Sequence, residues 1–303
     1  MNYKILGIGE VLWDLLPGGR QMGGAPANFA YHARALGADA RVVSRVGDDA
    51  LGREIIARLE SLDVPTYCIS VDPTHATGTV SVELAADGQP CFTIHEGVAW
   101  DHLVADPALT MTRCGADAVC FGTLAQRCEP SRSAIRELVA QAPKSAVRVY
   151  DVNLRQDFYS LEILEASFRL ANVVKLNETE LPVVGHLLGM HGTPRQQIAA
   201  LQHRYDLRLV AWTRGSQGSL LHDGTDWHDH PGLPTEVKDT IGAGDSFTAA
   251  ITLGLLAGWD IEKLSNLANE VAAYVCSCAG GTPPMPERLR EHFQSRLMSR
   301  HHA

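Results

Sequence analysis

Asp239-Thr240-Ile241-Gly242-Ala243-Gly244-Asp245, followed at once by Ser246-Phe247-Thr248-Ala249-Ala250-Ile251, is the stretch on which the reading of this chain turns. Its two glycines let the backbone turn tightly with its amides pointing one way. The apolar spacing of Phe247, Ile251 and Leu255 predicts a helix beginning near Gly244. Free N–H groups and the positive end of the helix dipole make an anion hole there, suited to the charge that develops on a transferring phosphoryl group. Asp245, in the first helical turn, is placed to accept a proton from a hydroxyl nucleophile. No Lys-Ser or Lys-Thr pair follows the glycines, so this is not a Walker loop. Taken alone, the stretch also reads as a glycine turn before a helix, with Asp245 an ordinary N-terminal charge.

Working upstream, Leu209-Val210-Ala211-Trp212-Thr213-Arg214-Gly215-Ser216-Gln217-Gly218-Ser219-Leu220 reads as strand, glycine turn and strand. Its turn can approach a nucleotide phosphate or ribose. His222, His228 and His230, among Asp223, Asp226 and Asp229, fit a polar hairpin at a sheet edge better than a zinc site. Downstream, a helix is predicted from Ile261 to about Cys276, then the turn Gly280-Gly281-Thr282-Pro283-Pro284 and a charged amphipathic helix and tail from Arg288 to Ala303. Cys276-Ser277-Cys278 is a lone C-x-C without a second pair.

Further out lie two polar runs, each at the end of a predicted buried strand. Asp151-Val152-Asn153-Leu154-Arg155 follows Val147-Arg148-Val149-Tyr150, and Arg155 can meet phosphate or sugar oxygens. Asn177-Glu178-Thr179-Glu180 follows Val173-Val174-Lys175-Leu176. Asn177 and Glu180 are three apart and would share a face of a short helix, able to orient waters around Mg²⁺ or simply to cap that helix.

At the N-terminus, Ile5-Leu6-Gly7-Ile8-Gly9 begins a strand read as running to Asp14, which would lie just past its C-terminal end, where a carboxylate can take two hydroxyls of a polyol. Gly23-Gly24-Ala25-Pro26-Ala27-Asn28 permits close approach of a ligand, and a helix is predicted from Ala27 to Leu36. Asn28, in its first turn, offers donor and acceptor to a hydroxyl or else caps the helix. His32 reads as a packed or surface histidine. Strand Arg41–Val46 and helix Arg53–Leu62 make one βα unit. The texture then changes to the alternating segments Thr79–Leu84 and Cys91–His95 around the turn 86–89, a β-hairpin that can form a lid or a dimer-forming sheet. Strand–helix alternation resumes at 116, with strand Ala118–Thr123 and helix Ser131–Gln141.

The expected fold is a single α/β domain spanning 1–303: a doubly wound, mostly parallel sheet with helices on both faces, plus a small β-sheet lid from about 10–22 and 65–101. Apolar residues make up 45% of the chain, and no run approaches the roughly 18 of a membrane span. A net charge of −9 without clustered Lys and Arg argues against a nucleic-acid surface. Seven cysteines scattered through apolar surroundings read as reduced thiols, and Met1-Asn2-Tyr3-Lys4 leads straight into a strand without a secretory signal, so the expected location is cytoplasmic.

Gly23-Gly24-Ala25-Pro26-Ala27-Asn28, Asn177-Glu178-Thr179-Glu180 and Asp239-Thr240-Ile241-Gly242-Ala243-Gly244-Asp245, in that order across nearly the whole chain, resemble the ribokinase-like, PfkB-type carbohydrate kinase family. The resemblance implies that Asp245 deprotonates a sugar hydroxyl while the amides of Gly242, Ala243 and Gly244 hold the transferring phosphate. It implies that Asp14, Gly24 and Asn28 hold the sugar, and that Asn177 and Glu180 organise Mg²⁺ with its waters. Thr213, Gly215 and Gly218 would form the nucleotide-contacting turn, with Asn269 on the adenine side. The implied partners are ATP, Mg²⁺ and a small sugar, with neither nucleic acid nor membrane, in a homodimer joined through the lid. Gly9-Glu10 running to Trp13-Asp14, Pro26 and the Arg155 run resemble bacterial fructokinases most, and the same arginine run also resembles 2-keto-3-deoxygluconate kinases. A nucleoside kinase and a catalytically silent sugar sensor are the further alternatives. Many relatives bind a monovalent cation such as K⁺ with a serine where this chain has Pro284; Asp239 and the carbonyls around Thr240 would form the rest of that site.

Overall fold

The computed structural model describes residues 3–16, 18–84, 90–105 and 116–297; the expected turn 86–89 and the tail beyond 297 lie outside them. β1 (Lys4–Ile8) is buried along almost its whole length, as a central parallel strand must be. Gly9, at φ 145°, ends it, and the chain crosses to β2 (Leu12–Leu16) and β3 (Gly19–Gly23) of a second sheet. The strand expected to run to Asp14 is therefore two strands in two sheets, and Asp14 sits within β2 rather than beyond the end of β1. The apolar run Val11-Leu12-Trp13 reads as a continuing strand; the backbone turn at Gly9 overrides it.

α1 (Ala25–Ala35), β4 (Asp39–Gly47), α2 (Ala50–Ser61) and β5 (Ile69–Asp72) follow, then β6 (Thr79–Leu84) and β7 (Pro90–Ile94). β8 (Ala118–Gly122), α3 (Glu129–Gln141), β9 (Val147–Asp151), α4 (Leu161–Leu170), β10 (Val173–Asn177), α5 (Glu180–Leu187), α6 (Pro194–Tyr205) and β11 (Leu209–Thr213) continue the alternation. The chain ends with the hairpin β12 (Ser219–His222) and β13 (Trp227–His230), then α7 (Ala243–Leu256), α8 (Ile261–Cys276) and α9 (Glu287–Leu297). Helices start where the sequence supplies a side-chain acceptor for the free first-turn amides: Asp49 for α2, Ser160 for α4, Thr193 for α6 and Asp260 for α8.

The large sheet has nine strands in the order β13-β12-β11-β10-β9-β8-β1-β4-β5, parallel from β5 to β11 with the β12–β13 hairpin antiparallel at one edge. The order reverses between β1 and β8, the topological switch point at which open α/β sheets form their ligand crevice. The small sheet has four strands, β3-β2-β6-β7. β5, which falls within the segment expected to form the lid, instead pairs with β4 in the large sheet.

Alternate side chains of each central strand enter different cores. Ile5, Val42 and Cys120 pack with Phe29 of α1, Phe247 of α7 and Val271 of α8. Leu6, Val43 and Phe121 pack with Ile135 of α3, Phe168 of α4 and Leu201 of α6 on the opposite face. Val80 and Ile94 of the small sheet join the second core, so the lid is seated on the domain. His222 stacks on Trp227 across the edge hairpin, ring centroids 4.0 Å apart. Among the described residues no helix is long and apolar enough to cross a membrane.

Candidate active site

The C-terminal ends of β1, β8, β9 and β10 face the start of α7. Gly242 caps that helix at φ 75°, and a Cβ there would run into the carbonyl of Gly281, so only glycine lets the two loops close together. The amides of Gly242, Gly244 and Asp245 have no acceptor among the described residues, whereas Ala243 N–H donates to Thr240 O at 3.3 Å. Of the three amides expected in the anion hole, that of Ala243 is thus engaged within its own loop, while that of Asp245, which was not among the three, is free.

The Asp245 carboxylate accepts a hydrogen bond from Asn28 Nδ2 at 2.8 Å, which brings the first turns of α1 and α7 together. It lies deep yet keeps some accessible surface. Burial, reinforced by the nearby Asp151 carboxylate, pushes its pKa up to about 6, against the pull of Asn28, Lys175 and Arg155. That range suits a general base near neutral pH.

Beneath Asp245 lies an ion pair that the motifs did not single out. Lys175 Nζ reaches Asp151 Oδ1 at 3.1 Å, both side chains being buried, and Thr248 Oγ1 donates to Asp151 Oδ2 at 2.8 Å. Burial pulls the Lys175 ammonium down, but Asp151, Glu180 and Asp245 outweigh it and hold the pKa above its ordinary value. The ammonium also lies 3.0 Å from where a Cβ on Gly244 would stand, beside the free amides. An ionisable residue inside the apolar run Val173-Val174-Lys175-Leu176 was the available signal.

On the lid side, Asp14 packs against Gly23, and burial pushes its pKa up to about 6 while Arg155 pulls it back. Glu10, just after β1, accepts Ala25 N–H at 3.2 Å; burial pushes its carboxyl up to about 7, and its other oxygen has no partner. Gly24, at φ 111°, lies so close to the Glu10 carbonyl that a Cβ would overlap it. Arg155 is exposed, and its charge bears on Glu10, Asp14 and Asp245 together.

On the other side of Asp245 a cavity of about 810 Å³ is lined by Lys175, Asn177, Thr213, Gly215, Gly218 and Asn269, with Leu233, Val237 and Ala272 as apolar wall. Asn269 donates Nδ2 to Ser219 Oγ and to Ser265 O, each at 2.8 Å, leaving its oxygen for a ligand. The two residues expected on the Mg²⁺ side, Asn177 and Glu180, form a reciprocal cap. Asn177 Oδ1 accepts from Thr179 N–H and Glu180 N–H, and Glu180 Oε2 accepts from Asn177 N–H at 2.8 Å. Glu180 Oε1 accepts from Leu154 N–H at 3.1 Å, so this buried carboxylate ties the Arg155 loop to the end of β10. Each Glu180 oxygen keeps a lone pair beyond the amide it holds, which is what a water of a Mg²⁺ shell requires, whereas Asn177 Oδ1 also accepts from Thr179 Oγ1 at 2.8 Å and is fully engaged in holding the turn.

Asp239 joins the anion-hole loop to the last loop, accepting Ile241 N–H and Gly280 N–H, each at 3.0 Å. α1 clamps the same loop: Tyr31 OH donates to Pro283 O, and the buried His32 donates Nε2–H to Gly281 O at 2.9 Å. Burial pulls the His32 pKa down to about 4, so its ring is neutral. The histidine read as merely packed therefore holds the wall of the anion hole.

A helix N-terminus with free amides, a buried carboxylate in its first turn and a nucleotide-sized cavity beside it, on a doubly wound sheet with a small separate sheet, fit a phosphoryl-transfer enzyme of the ribokinase-like fold. Residues 18–288 match the model of the pfkB family of carbohydrate kinases, and the chain belongs to that family. It is 30% identical to a fructokinase of Salmonella typhimurium over 94% of this chain and 97% of that one. An uncharacterized sugar kinase from Pyrococcus horikoshii is 29% identical, with a TM-score of 0.80 over 96% of each chain. A fructokinase from Xylella fastidiosa solved with bound ATP, 22% identical, shares the fold at a TM-score of 0.84 over 98% of each chain.

Proposed function

We propose that this chain is an ATP-dependent kinase of a free, neutral sugar, D-fructose first, acting on a terminal hydroxymethyl group. The observation that carries the reading is the Asp245 carboxylate, tied to Asn28 beside the free amides of α7, between the lid-side polar groups and the nucleotide-sized cavity. Asp245 takes the proton of the sugar hydroxyl, whose oxygen attacks the γ-phosphorus of ATP in line. The amides of Gly242, Gly244 and Asp245, with Lys175 beside them, hold the charge on the transferring group. Asp14, Gly24, Asn28 and Arg155 orient the sugar. Thr213, Gly215, Gly218 and Asn269 hold the nucleotide, and Asn177 and Glu180 organise Mg²⁺ through its waters. Held there, Mg²⁺ would supply positive charge to offset that of the transferring phosphate.

A neutral sugar is favoured over 2-keto-3-deoxygluconate because the charge of Arg155 is already felt by Glu10, Asp14 and Asp245, so a substrate carboxylate would enter among carboxylates. The proposal extends to a homodimer through the lid, where Leu15 and Phe92 are exposed. The test is ADP release from Mg-ATP against fructose, glucose, ribose, 2-keto-3-deoxygluconate and adenosine, with and without K⁺. Turnover selective for fructose is expected. Selectivity for the acidic sugar would keep the mechanism and reassign Arg155 to a carboxylate. Absence of turnover with all five, alongside sugar binding in calorimetry, would favour a sensor. Activation by K⁺ would assign the Asp239 and Thr240 loop a cation.

A further inference from the structure

The outer strand of the small sheet, β7, presents an edge whose carbonyls would otherwise stay open. Two side chains from the large-sheet side reach this segment. Arg127 donates to His95 O at 2.6 Å while it pairs with the buried Asp101 and stacks on Trp100 and Phe158; only 3% of its side chain is exposed. That contact is fixed framework. Gln156 is different, being an exposed residue whose bond to the small sheet, among the described residues, is Nε2–H to Phe92 O, at 2.6 Å.

Gln156 adopts φ 46° and Asn153 φ 42°, a left-handed conformation that a side chain such as glutamine takes only when its surroundings hold it. Between them lies Arg155. From below, their loop is held by Leu154 N–H on Glu180 and Val152 N–H on Lys175 O, and Lys175 lines the nucleotide-sized cavity. From above, among the described residues, the hydrogen bond that holds it is that of Gln156, on the sheet that also carries Asp14.

We propose that Gln156 is a positioning residue, whose bond to the Phe92 carbonyl couples the position of the lid to that of Arg155. Asp14 on the lid and Arg155 beneath it then come into register together around the sugar. This rests on the reading of the cleft as a sugar site.

The test compares Gln156→Glu and Gln156→Lys with the unmodified protein, using whichever sugar that protein turns over. Glutamate keeps the size of glutamine but offers an acceptor to a carbonyl, and lysine restores a donor. The expected result for Gln156→Glu is a sugar KM raised about fivefold, the scale of one hydrogen bond, with ATP KM and Tm unchanged. Gln156→Lys should return the sugar KM to within about twofold of the original. In an Arg155→Ala background, Gln156→Glu should change the sugar KM by less than about twofold, because positioning has nothing left to act on. An unchanged sugar KM in Gln156→Glu, or full additivity with Arg155→Ala, would overturn the proposal. If the unmodified protein turns over no sugar, the kinase reading fails, and the same variants are then judged by sugar affinity in calorimetry.

Discussion

The two sides of Asp245 are built from different materials. The cavity side is mostly backbone and framework: glycine turns at Gly215 and Gly218, free amides at the head of α7, and an apolar wall from α8 and the loop after β13. The lid side is mostly charged side chains carried by separate elements. Glu10 follows β1, Asp14 comes from β2, Asn28 from α1 and Arg155 from a strained loop after β9. Phosphates look alike in every nucleotide, so a rigid cradle of amides serves them all. Sugars differ in where their hydroxyls and charges lie, so their site needs side chains that can be exchanged without disturbing the phosphate chemistry. Asp245 stands where the two sides meet, and the most damaging substitution should be the one made there.

Asp245→Asn is expected to lower kcat by at least about a hundredfold, the usual scale of a general base, while sugar affinity in calorimetry stays within a few-fold. Near-normal turnover would remove Asp245 from the mechanism and leave the two sides without a common centre. A smaller loss is expected on the backbone side. Gly242→Ala puts a methyl group against the Gly281 carbonyl at a residue with φ 75°, so the anion-hole loop and the last loop must separate. Because the free amides shift rather than vanish, kcat should fall by about thirtyfold, below the loss from deleting an anion-hole donor outright. Sugar KM should hardly move, and a change confined to it would contradict the division drawn here.

That division also governs what could be read from the chain without its structure. The anion hole and its base occupy seven consecutive residues, and the helix begins at Ala243, one residue from the expected start. The βα alternation was legible because buried parallel strands and amphipathic helices have different periods. What escaped depended on contacts between distant segments. The segment 10–22 is legible as part of the lid, but the break that Gly9 makes in the first strand before Asp14 is not, because the apolar residues between them hide that turn. The Glu180 carboxylate is engaged by an amide 26 residues earlier, and the Gln156 amide by a carbonyl 64 residues earlier. Lys175 was visible as an odd residue in an apolar strand, but its pairing with Asp151 needed β9 and β10 to lie side by side.

The finest test concerns the charge balance on the lid side. Asp245 is competent as a base only when deprotonated, so kcat/KM should fall as pH drops through about 6, where burial and Asp151 place its pKa. Arg155 lowers the pKa of Asp245, and likewise those of Asp14 and Glu10. Removing its positive charge makes each carboxylate bind its proton more tightly, so the acid limb must move to higher pH. For Arg155→Ala we expect the acid limb of kcat/KM for the sugar to move to higher pH, together with a sugar KM about tenfold higher and an ATP KM unchanged. An arginine that served only to bind the sugar would raise KM and leave the limb in place. One that served only to hold its loop would raise both KM values, because the same loop is tied through Glu180 to the end of β10 and hence to the cavity side. A limb that moved the other way would mean that Arg155 does not face these carboxylates during turnover, and the preference for a neutral sugar would lose its electrostatic basis.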